Sequence, residues 1–328
     1  MKAQRTDNTI PKDVSPGLEH FWVEVLRGLR KPQKELPSKY FYDEKGSHLF
    51  ELICTLEEYY IPSTEAAIMA DCTNEVAELI GPCAFLLEYG SGDCEKVRLL
   101  LDNLPNPTAY TPIDISEQQL IRVSRGISLD YPHLEVLPVC ADYTSNLELP
   151  VPSKYCHRTV VYFPGSTISN FDPEQAAQFL EYVSGVCGEG GGLLIGVDLK
   201  KDPTILHQAY NDTRGVTAAF NLNLLERINR ELGADFELDS FEHYAFYNPI
   251  KSRVELHLVS LREQEVHIGE NSTLFRKGES IWTESSYKFN LDEFERMAAK
   301  AGFRVKRVWT DRQNWFSVQY LENSNNCN

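Results

Sequence analysis

A short glycine loop is the first segment of this sequence whose residue types could do chemistry. Gly90-Ser91-Gly92 follows an apolar run, residues 84–89, that has the length of a buried strand. Glycines after a first strand let the backbone approach a ligand and direct its amides at it. Asp114 ends a second apolar run about 20 residues later, where a carboxylate can accept hydrogen bonds from ribose hydroxyls. The pairing indicates an adenosine-containing ligand, although a plain tight turn would need the same glycines.

Two features favour a sulfonium methyl donor over a dinucleotide. The loop lacks the third glycine of the GxGxxG pattern. Asp142 follows a third strand-like run, residues 134–139, where an acid can meet an adenine amino group. From spacing alone, a helix cap or turn residue is an equally good interpretation of Asp142.

A polar loop follows the fourth strand-like run. Residues 163–171 contain Gly165, several hydroxyls and the amide of Asn170. In a sheet with this order of elements the loop faces the transferring methyl group, so Asn170 is a candidate ligand for a small polar substrate. Capping of the helix that follows is the alternative role for the same residues.

Aromatic residues are crowded at two places, residues 40–42 and residues 59–60, in each case beside acidic side chains. Aromatic rings near a methyl donor could hold an amine, and later a quaternary ammonium, by cation–π attraction. Packing within a core or an interface is the competing interpretation, because most large aromatic residues serve that purpose.

Strands and helices alternate along the first two thirds of the chain and must position these residues. Such an alternation indicates a Rossmann-like α/β core, a parallel sheet with helices on both faces and ligands at the carboxyl ends of its strands. The predicted strands are residues 84–89, 109–115, 134–139, 159–163 and 192–198, and the predicted helices are residues 64–79, 95–104, 117–125 and 173–187.

After residue 198 the pattern changes. A long helical stretch, residues 208–232, precedes two alternating segments, 237–247 and 253–261, which indicate an antiparallel pair. A final helix and two strands then resemble the closing elements of the first domain. We therefore expect one domain from residues 62–199 and 288–322, a second from residues 15–61 and 200–287, and flexible tails at 1–14 and 323–328.

Composition excludes several classes of protein. A length of 328 residues excludes one small domain, and a net charge of −16 argues against nucleic acid as a partner. No apolar run approaches the roughly 20 residues of a membrane span. The eight cysteines and eight histidines show no metal-ligand spacing. We expect a cytoplasmic protein with no metal, no membrane contact and no nucleic acid.

Taken together, the segments resemble the histidine-specific SAM-dependent methyltransferases, which include the histidine Nα-methyltransferases of ergothioneine biosynthesis. The resemblance covers nearly the whole chain. It implies a class I SAM methyltransferase core with an inserted α+β substrate-binding domain, S-adenosylmethionine (SAM) as co-substrate, trimethylation of L-histidine to hercynine, and a monomer. It is carried by residues 39–47, 58–60, 89–92, 163–171, 210–212 with 215–218, and 283–288.

The resemblance also implies residue roles, with Tyr42 and Tyr59 as the catalytic residues. Tyr42, or a water that it positions, is our hypothesis for the acceptor of hydrogen bonds from the amine. Glu284 and Ser286 would bind the two imidazole nitrogens, since a carboxylate takes an N–H while a hydroxyl can give or accept. SAM would be bound by Tyr42, Gly90, Ser91, Gly92, Lys96, Asp114, Asp142 and Tyr143. Histidine would be bound by Phe50, Tyr59, Gly165, Asn170, Tyr210, Leu256, Glu284 and Ser286.

Two positions depart from the family pattern. Ser169 stands where the family usually has glycine, and it either narrows the site or turns outward. Leu256 stands where methionine often lines the imidazole pocket, a change that conserves volume.

Two alternatives remain: an N-methyltransferase for tryptophan or another aromatic amino acid, and a catalytically silent SAM-binding regulatory protein. The presence of both Glu284 and Ser286 argues against the first. The joint presence of the donor loop and the substrate-side residues argues against the second.

Overall fold

The computed structural model describes residues 12–14, 17–92, 95–142 and 147–324. The chain divides into two compact units. Unit 1 consists of Met1–Ser15, Ser63–Leu199 and Phe289–Asn328, and unit 2 consists of Pro16–Pro62 and Lys200–Lys288.

The helices and strands of the described residues are as follows. The helices are α1 (Leu18–Leu29), α2 (Glu44–Ile53), α3 (Ile61–Ile80), α4 (Glu95–Asn103), α5 (Glu117–Asp130), α6 (Pro173–Cys187), α7 (Pro203–Tyr210), α8 (Val216–Leu232) and α9 (Leu291–Lys300), with 3-10 turns at Ser38–Phe41, Thr167–Asn170 and Leu238–Ser240. The strands are β1 (Lys12–Val14), β2 (Lys34–Glu35), β3 (Ala84–Tyr89), β4 (Ala109–Asp114), β5 (Glu135–Val136), β6 (Val139–Ala141), β7 (Arg158–Phe163), β8 (Gly192–Asp198), β9 (Phe241–Asn248), β10 (Arg253–Ser260), β11 (Gln264–Ile268), β12 (Asn271–Phe275), β13 (Ser280–Tyr287), β14 (Phe303–Thr310) and β15 (Phe316–Asn323).

Unit 1 is built on one sheet with the order β1-β6-β4-β3-β7-β8-β15-β14, with β5 beside β4. The strands β6, β4, β3, β7 and β8 run parallel, whereas β15 is antiparallel to β8. Strands β3 and β8 are buried along their whole length, which explains their continuous apolar sequences. Strand order reverses at β3 and β7, and ligands of such sheets bind at that switch point. The Rossmann-like α/β prediction is confirmed.

The helices of unit 1 cover this sheet and fix its loops. Helix α3 has a buried stripe that contains Ile68, Cys72 and Val76. Helix α6 begins at Pro173 because the Asp172 side chain accepts hydrogen bonds from the first free amides and completes a capping box. This cap sets where the loop after β7 must end.

Unit 2 pairs a smaller sheet with helices. Its order is β2-β13-β10-β9, and β11 and β12 form a separate hairpin. The antiparallel pairing of β9 with β10 confirms the predicted pair around residues 248–253. Apolar residues from α1, α8 and the sheet form one core, which includes Phe21, Leu224 and Leu258.

Two predicted elements differ in detail. The helical stretch 208–232 is two helices, α7 and α8, because Gly215 adopts a φ of 71° and the Asp212 carboxylate caps the first turn of α8. The strand predicted for residues 134–139 is two short strands, because Pro138 between them has no amide to donate. Within the described ranges, no helix combines the length and the apolar character that a membrane crossing requires.

Candidate active site

The loop after β3 presents backbone rather than side chains. Gly90 and Gly92 have φ values of 72° and 53°, in the left-handed region that favours glycine. A Cβ on Gly92 would meet no atom within 4 Å, so the space beside it is open. The buried hydroxyl of Ser91 makes no hydrogen bond with any residue that the structure describes. An open backbone cradle with an unsatisfied hydroxyl fits a polar nucleoside ligand.

Asp114 joins this loop to the end of β4. Its carboxylate accepts hydrogen bonds from the amides of Gly92 (3.1 Å) and Ser116 (2.9 Å). Burial raises the pKa of the Asp114 carboxyl above its ordinary value, and these amides oppose the rise. Asp142 directly follows the neighbouring strand β6 and is half-buried. The predicted site residue Tyr143 lies outside the described residues.

A buried carboxylate, Glu65 on α3, holds two of the predicted site residues together. Glu65 is 1% exposed, and its two carboxylate oxygens share the single N–H of Gly165, at 2.8 and 3.0 Å from the nitrogen. Its other partner is the ammonium of Lys96, with which it forms an ion pair. Two predicted residues from different loops therefore share one partner that the sequence did not single out.

The loop after β7 is held in an uncommon backbone conformation. Gly165 has a φ of 73° and Ser166 a φ of 57°, and the Asp198 amide donates a hydrogen bond of 2.8 Å to the Ser166 hydroxyl. Asn170 ends the 3-10 turn and is half-buried. Ser169 is 2% exposed, so its side chain does not project into solvent.

In unit 2, two aromatic rings pack against the predicted residue Tyr42. Its ring meets those of Phe50 and Phe220 edge-on, with centroids 5.6 and 5.8 Å apart. Asp43 fixes this segment, because its carboxylate accepts hydrogen bonds from the Gly46 amide and the Asn223 side chain. Burial acts to raise the pKa of Asp43, but these bonds and Arg230 outweigh it and hold the pKa below its ordinary value.

Tyr59 and Tyr210 form a second aromatic pair in unit 2. Their rings are perpendicular, with centroids 5.9 Å apart. Burial, followed by the neighbouring Tyr210, raises the pKa of the Tyr59 phenol well above its ordinary value. Tyr59 therefore remains a phenol at neutral pH, able to exchange hydrogen bonds but not to act as an anionic base.

Strands β13 and β10 of unit 2 carry three of the predicted substrate-binding residues. Leu256 on β10 is the register partner of Glu284 on β13, which brings these two predicted residues onto one face. Burial raises the pKa of Glu284 to about 7, and the positive charge of Lys288 opposes this rise. Ser286 lies two residues beyond Glu284 on the same face and is 4% exposed.

Ser286 belongs to a compact polar cluster. The Tyr210 hydroxyl donates a hydrogen bond of 2.8 Å to the Ser286 hydroxyl. The buried ammonium of Lys288 donates to both, at 3.0 Å to Tyr210 and 2.8 Å to Ser286. Tyr210 thus contacts the predicted imidazole-binding residue Ser286, a contact that the resemblance did not imply.

Sequence reasoning missed three residues of these clusters: Glu65, Phe220 and Lys288. Two of them carried a signal. Glu65 interrupts the apolar stripe of α3, and Lys288 continues the two-residue alternation of Glu284 and Ser286. Phe220 gave none, because an apolar residue in a helical stretch is ordinary core. In the described ranges, no cluster of three or more His, Cys, Asp or Glu side chains could hold a metal ion.

Comparison with known proteins is consistent with this geometry. Two relatives are named histidine N-alpha-methyltransferase. Over 301 residues the chain is 40% identical to the one from Mycobacterium tuberculosis and 39% identical to the one from Mycolicibacterium smegmatis. Each alignment covers 90% of this chain and 92% of the relative. The chain is 31% identical to ergothioneine biosynthesis protein 1 of Neurospora crassa, covering 84% of this chain but 32% of that longer protein.

A family model described as histidine-specific methyltransferase, SAM-dependent, matches residues 21–323. The match spans both units, and the strand order of unit 1 is that of a Rossmann-like class I methyltransferase core. The chain therefore belongs to the family of histidine-specific, SAM-dependent methyltransferases.

Proposed function

We propose that the protein transfers three methyl groups in succession from SAM to the α-amino nitrogen of L-histidine, giving hercynine in ergothioneine biosynthesis. The observation that carries the proposal is the pairing of Glu284 and Ser286 on one face of β13, beside the Tyr59–Tyr210 pair. A carboxylate and a hydroxyl match the two nitrogens of an imidazole. Family membership and the names of the two mycobacterial relatives support the same substrate.

Unit 1 is the proposed binding unit for SAM, which supplies an electrophilic methyl group on its sulfonium sulfur. Asp114 accepts hydrogen bonds from the ribose hydroxyls, and Asp142 meets the adenine amino group. Lys96, held by Glu65, lies beside Gly165 and favours the carboxylate of the donor. The remaining proposed donor contacts are Tyr42, Gly90, Ser91, Gly92 and Tyr143.

Unit 2 is the proposed binding unit for histidine. The proposed contacts of the α-amino and α-carboxylate groups are Tyr59, Asn170 and Tyr210, and those of the imidazole are Glu284 and Ser286. Phe50, Gly165 and Leu256 line the remaining surface. Fixing the amine against the donor removes much of the entropic barrier to an in-line displacement, which is the main task of such a site.

The attacking amine must first lose its proton. An α-amino group has a pKa near 8 or slightly higher, so a modest shift suffices at neutral pH. Tyr59 is a neutral phenol and cannot take the proton as an anion. Tyr42, or a water that it positions, accepts hydrogen bonds from the amine, and its ring and that of Phe50 favour the growing ammonium by cation–π attraction.

The Tyr42→Phe variant tests this role, because it keeps the ring and removes the hydroxyl. We expect the rate to fall most at low pH, where deprotonation limits the reaction. Full activity at every pH would contradict the role.

We further propose a monomeric, cytoplasmic enzyme that needs no metal. Activity that survives prolonged treatment with a chelator, together with a monomeric mass in solution, would agree with this proposal. Loss of activity that zinc or magnesium restores would contradict it.

The function is tested by incubating the purified protein with SAM and an equimolar mixture of the twenty amino acids, and by following mass gains of one, two and three methyl groups. We expect a three-methyl product from histidine alone. Trimethylation of tryptophan or another amino acid would overturn the proposed role of Glu284 and Ser286. Binding of SAM without transfer would favour a regulatory protein.

A further inference from the structure

Strand β13 carries a β-bulge directly before Glu284. In its register with β10, Leu256 lies opposite Glu284 and His257 lies opposite Trp282, so Thr283 is the extra residue of the bulge. Side chains of a regular strand alternate between its two faces, and one extra residue reverses that alternation for every residue beyond it. The bulge therefore decides which face of the sheet the Glu284 side chain occupies.

Contacts on the two sides of the bulge show this reversal. Before the bulge, Trp282 lies on the outer face of the sheet, where its ring stacks on that of His257 at an interplanar angle of 14°. Thr283 is 2% exposed, and its hydroxyl contacts Asn221 on helix α8, which packs on the other face. Thr283 and Glu284 are consecutive in sequence, yet both lie on the face toward α8.

The side-chain amide of Asn221 contacts this bulge, and its partners fix its orientation. One end of the amide lies 3.1 Å from the His257 carbonyl oxygen, which only accepts hydrogen bonds, so that end is the NH₂ group. Its second hydrogen meets the Nδ1 atom of His243 at 2.9 Å. The amide oxygen accepts a hydrogen bond of 2.7 Å from the Thr283 hydroxyl. Since Asn221 is 0% exposed and bonded at both ends, it positions other groups rather than binding a ligand.

Two further side-chain contacts involve backbone carbonyls at the bulge. The Thr283 hydroxyl also lies 3.1 Å from the Leu256 carbonyl oxygen, and the Trp282 indole N–H donates a hydrogen bond of 2.9 Å to the Glu284 carbonyl. A bulge interrupts the backbone ladder of a sheet, and buried carbonyls need a donor. Donors placed on both faces therefore favour the bulged pairing over a slipped, regular one.

We infer that Thr283 and Asn221 are positioning residues for histidine recognition: they hold the bulge that turns Glu284 toward the substrate. The inference rests on the proposed function, because it takes Glu284 as the acceptor of an imidazole N–H. A hydrogen bond depends on direction as well as on distance. Loosening the bulge should therefore weaken histidine binding, although neither residue contacts histidine.

The experiment compares two substitutions of Thr283. Thr283→Val keeps the branched shape and loses the hydroxyl, whereas Thr283→Ser keeps the hydroxyl. L-histidine is titrated by calorimetry into each protein saturated with S-adenosylhomocysteine at pH 8, above the Glu284 pKa of about 7. The dissociation constant for histidine should rise about 10-fold in Thr283→Val and stay within about 2-fold in Thr283→Ser.

A double-mutant cycle separates positioning from a general structural role. In Glu284→Gln the charged acceptor is already lost, so adding Thr283→Val should raise the dissociation constant less than about 3-fold. A purely structural threonine would weaken histidine binding by the same factor with and without Glu284→Gln, because independent effects add. The affinity for S-adenosylhomocysteine should be the same in all these proteins.

The role of Asn221 is tested in the same way. Asn221→Ala removes the partner of the Thr283 hydroxyl, so histidine binding should weaken about 10-fold, and adding Thr283→Val should weaken it less than about 3-fold further. A further loss of the full 10-fold would show that the two residues do not act together.

Two other variants guard against trivial explanations. Thr283→Ala, compared with Thr283→Ser, differs only by the hydroxyl and replaces Thr283→Val in the cycle if that variant fails to fold. Thr111→Val removes another fully buried threonine hydroxyl, on β4 of unit 1, and should leave histidine affinity unchanged.

The outcomes separate the two proposals. No histidine binding by the unmodified chain overturns the proposed function. When the unmodified chain binds histidine, an unchanged affinity in Thr283→Val overturns the inference alone. An equal loss with and without Glu284→Gln also overturns the inference alone, because Thr283 would then not act through Glu284.

Discussion

The two units of this chain form their proposed ligand surfaces in different ways. Unit 1 uses glycines with left-handed backbone conformations, together with carboxylates that end or follow two neighbouring parallel strands. Unit 2 uses side chains on one sheet face and on the two aromatic segments, residues 40–42 and 59–60. These side chains come from positions as distant in the sequence as Tyr42 and Ser286.

The difference reflects the chemistry of the two ligands. The base and the ribose of a nucleoside can be bound at the carboxyl ends of the strands of a Rossmann-like sheet. Backbone amides and acidic side chains stand there at fixed places. A particular amino acid can be told from others only by side chains that match its own donors and acceptors. We therefore propose that specificity lies in unit 2, where substitutions should alter it without disturbing unit 1.

The largest expected effect comes from Glu284→Gln, which keeps the shape of the side chain and removes its charge. The imidazole N–H loses a charge-assisted acceptor, so kcat/KM for histidine should fall roughly 100-fold. The dissociation constant for SAM should be unchanged. The variant is assayed with histidine and tryptophan in competition, and a variant that still prefers histidine by the original ratio would contradict the role of Glu284.

A smaller effect is expected in unit 1 from Glu65→Gln. The glutamine side chain has no negative charge to pair with Lys96, and its NH₂ group can face that ammonium unfavourably. The dissociation constant for SAM should therefore rise about 10-fold. It is measured by calorimetry.

Glu75→Gln is the matched control for Glu65→Gln, because Glu75 lies on the same helix, is exposed and pairs with Arg307. It should leave SAM binding unchanged. Equal SAM affinity in the two variants would show that Glu65 does not act through Lys96.

The smallest effect concerns stability. Burial raises the pKa of Glu284 from 4.5 to about 7, so the folded protein binds this proton more tightly than the unfolded chain. The free energy of unfolding should then fall as pH rises from about 4.5 to about 7. Because Glu284 is only half-buried, solvent screening reduces the effect to about 1 kcal/mol.

Glu284→Gln removes this penalty and should raise the melting temperature at pH 8, while at pH 5 the two proteins should melt alike. Thermal unfolding in the absence of ligands measures both. A stabilisation that is equal at the two pH values would mean that the charge of Glu284 is not its cause.

Unit 1 was the more predictable from sequence. The apolar run 84–89 is β3 and the glycines after it have positive φ, because buried parallel strands and left-handed turns each demand particular residue types. The partner of Glu65 lies 100 residues away and that of Lys288 lies 78 residues away. Hydrogen bonds over such distances depend on the folded chain, and no local pattern encodes them.

Unit 2 was less predictable for the same reason. Helices α1 and α2 and the β11–β12 hairpin were not predicted, since each is short and buries its apolar face only against other elements. Its proposed site residues were identified from the resemblance to a family, and the register of Leu256 with Glu284 became visible only in the structure.

The proposal that unit 1 binds SAM and unit 2 selects histidine is tested most directly by titrating each ligand separately into two variants, Asp114→Asn and Glu284→Gln. Asp114→Asn should weaken SAM and leave histidine affinity within about 2-fold, and Glu284→Gln should do the reverse. If either variant weakened both ligands by the same factor, the assignment of the donor to unit 1 and of substrate specificity to unit 2 would be wrong.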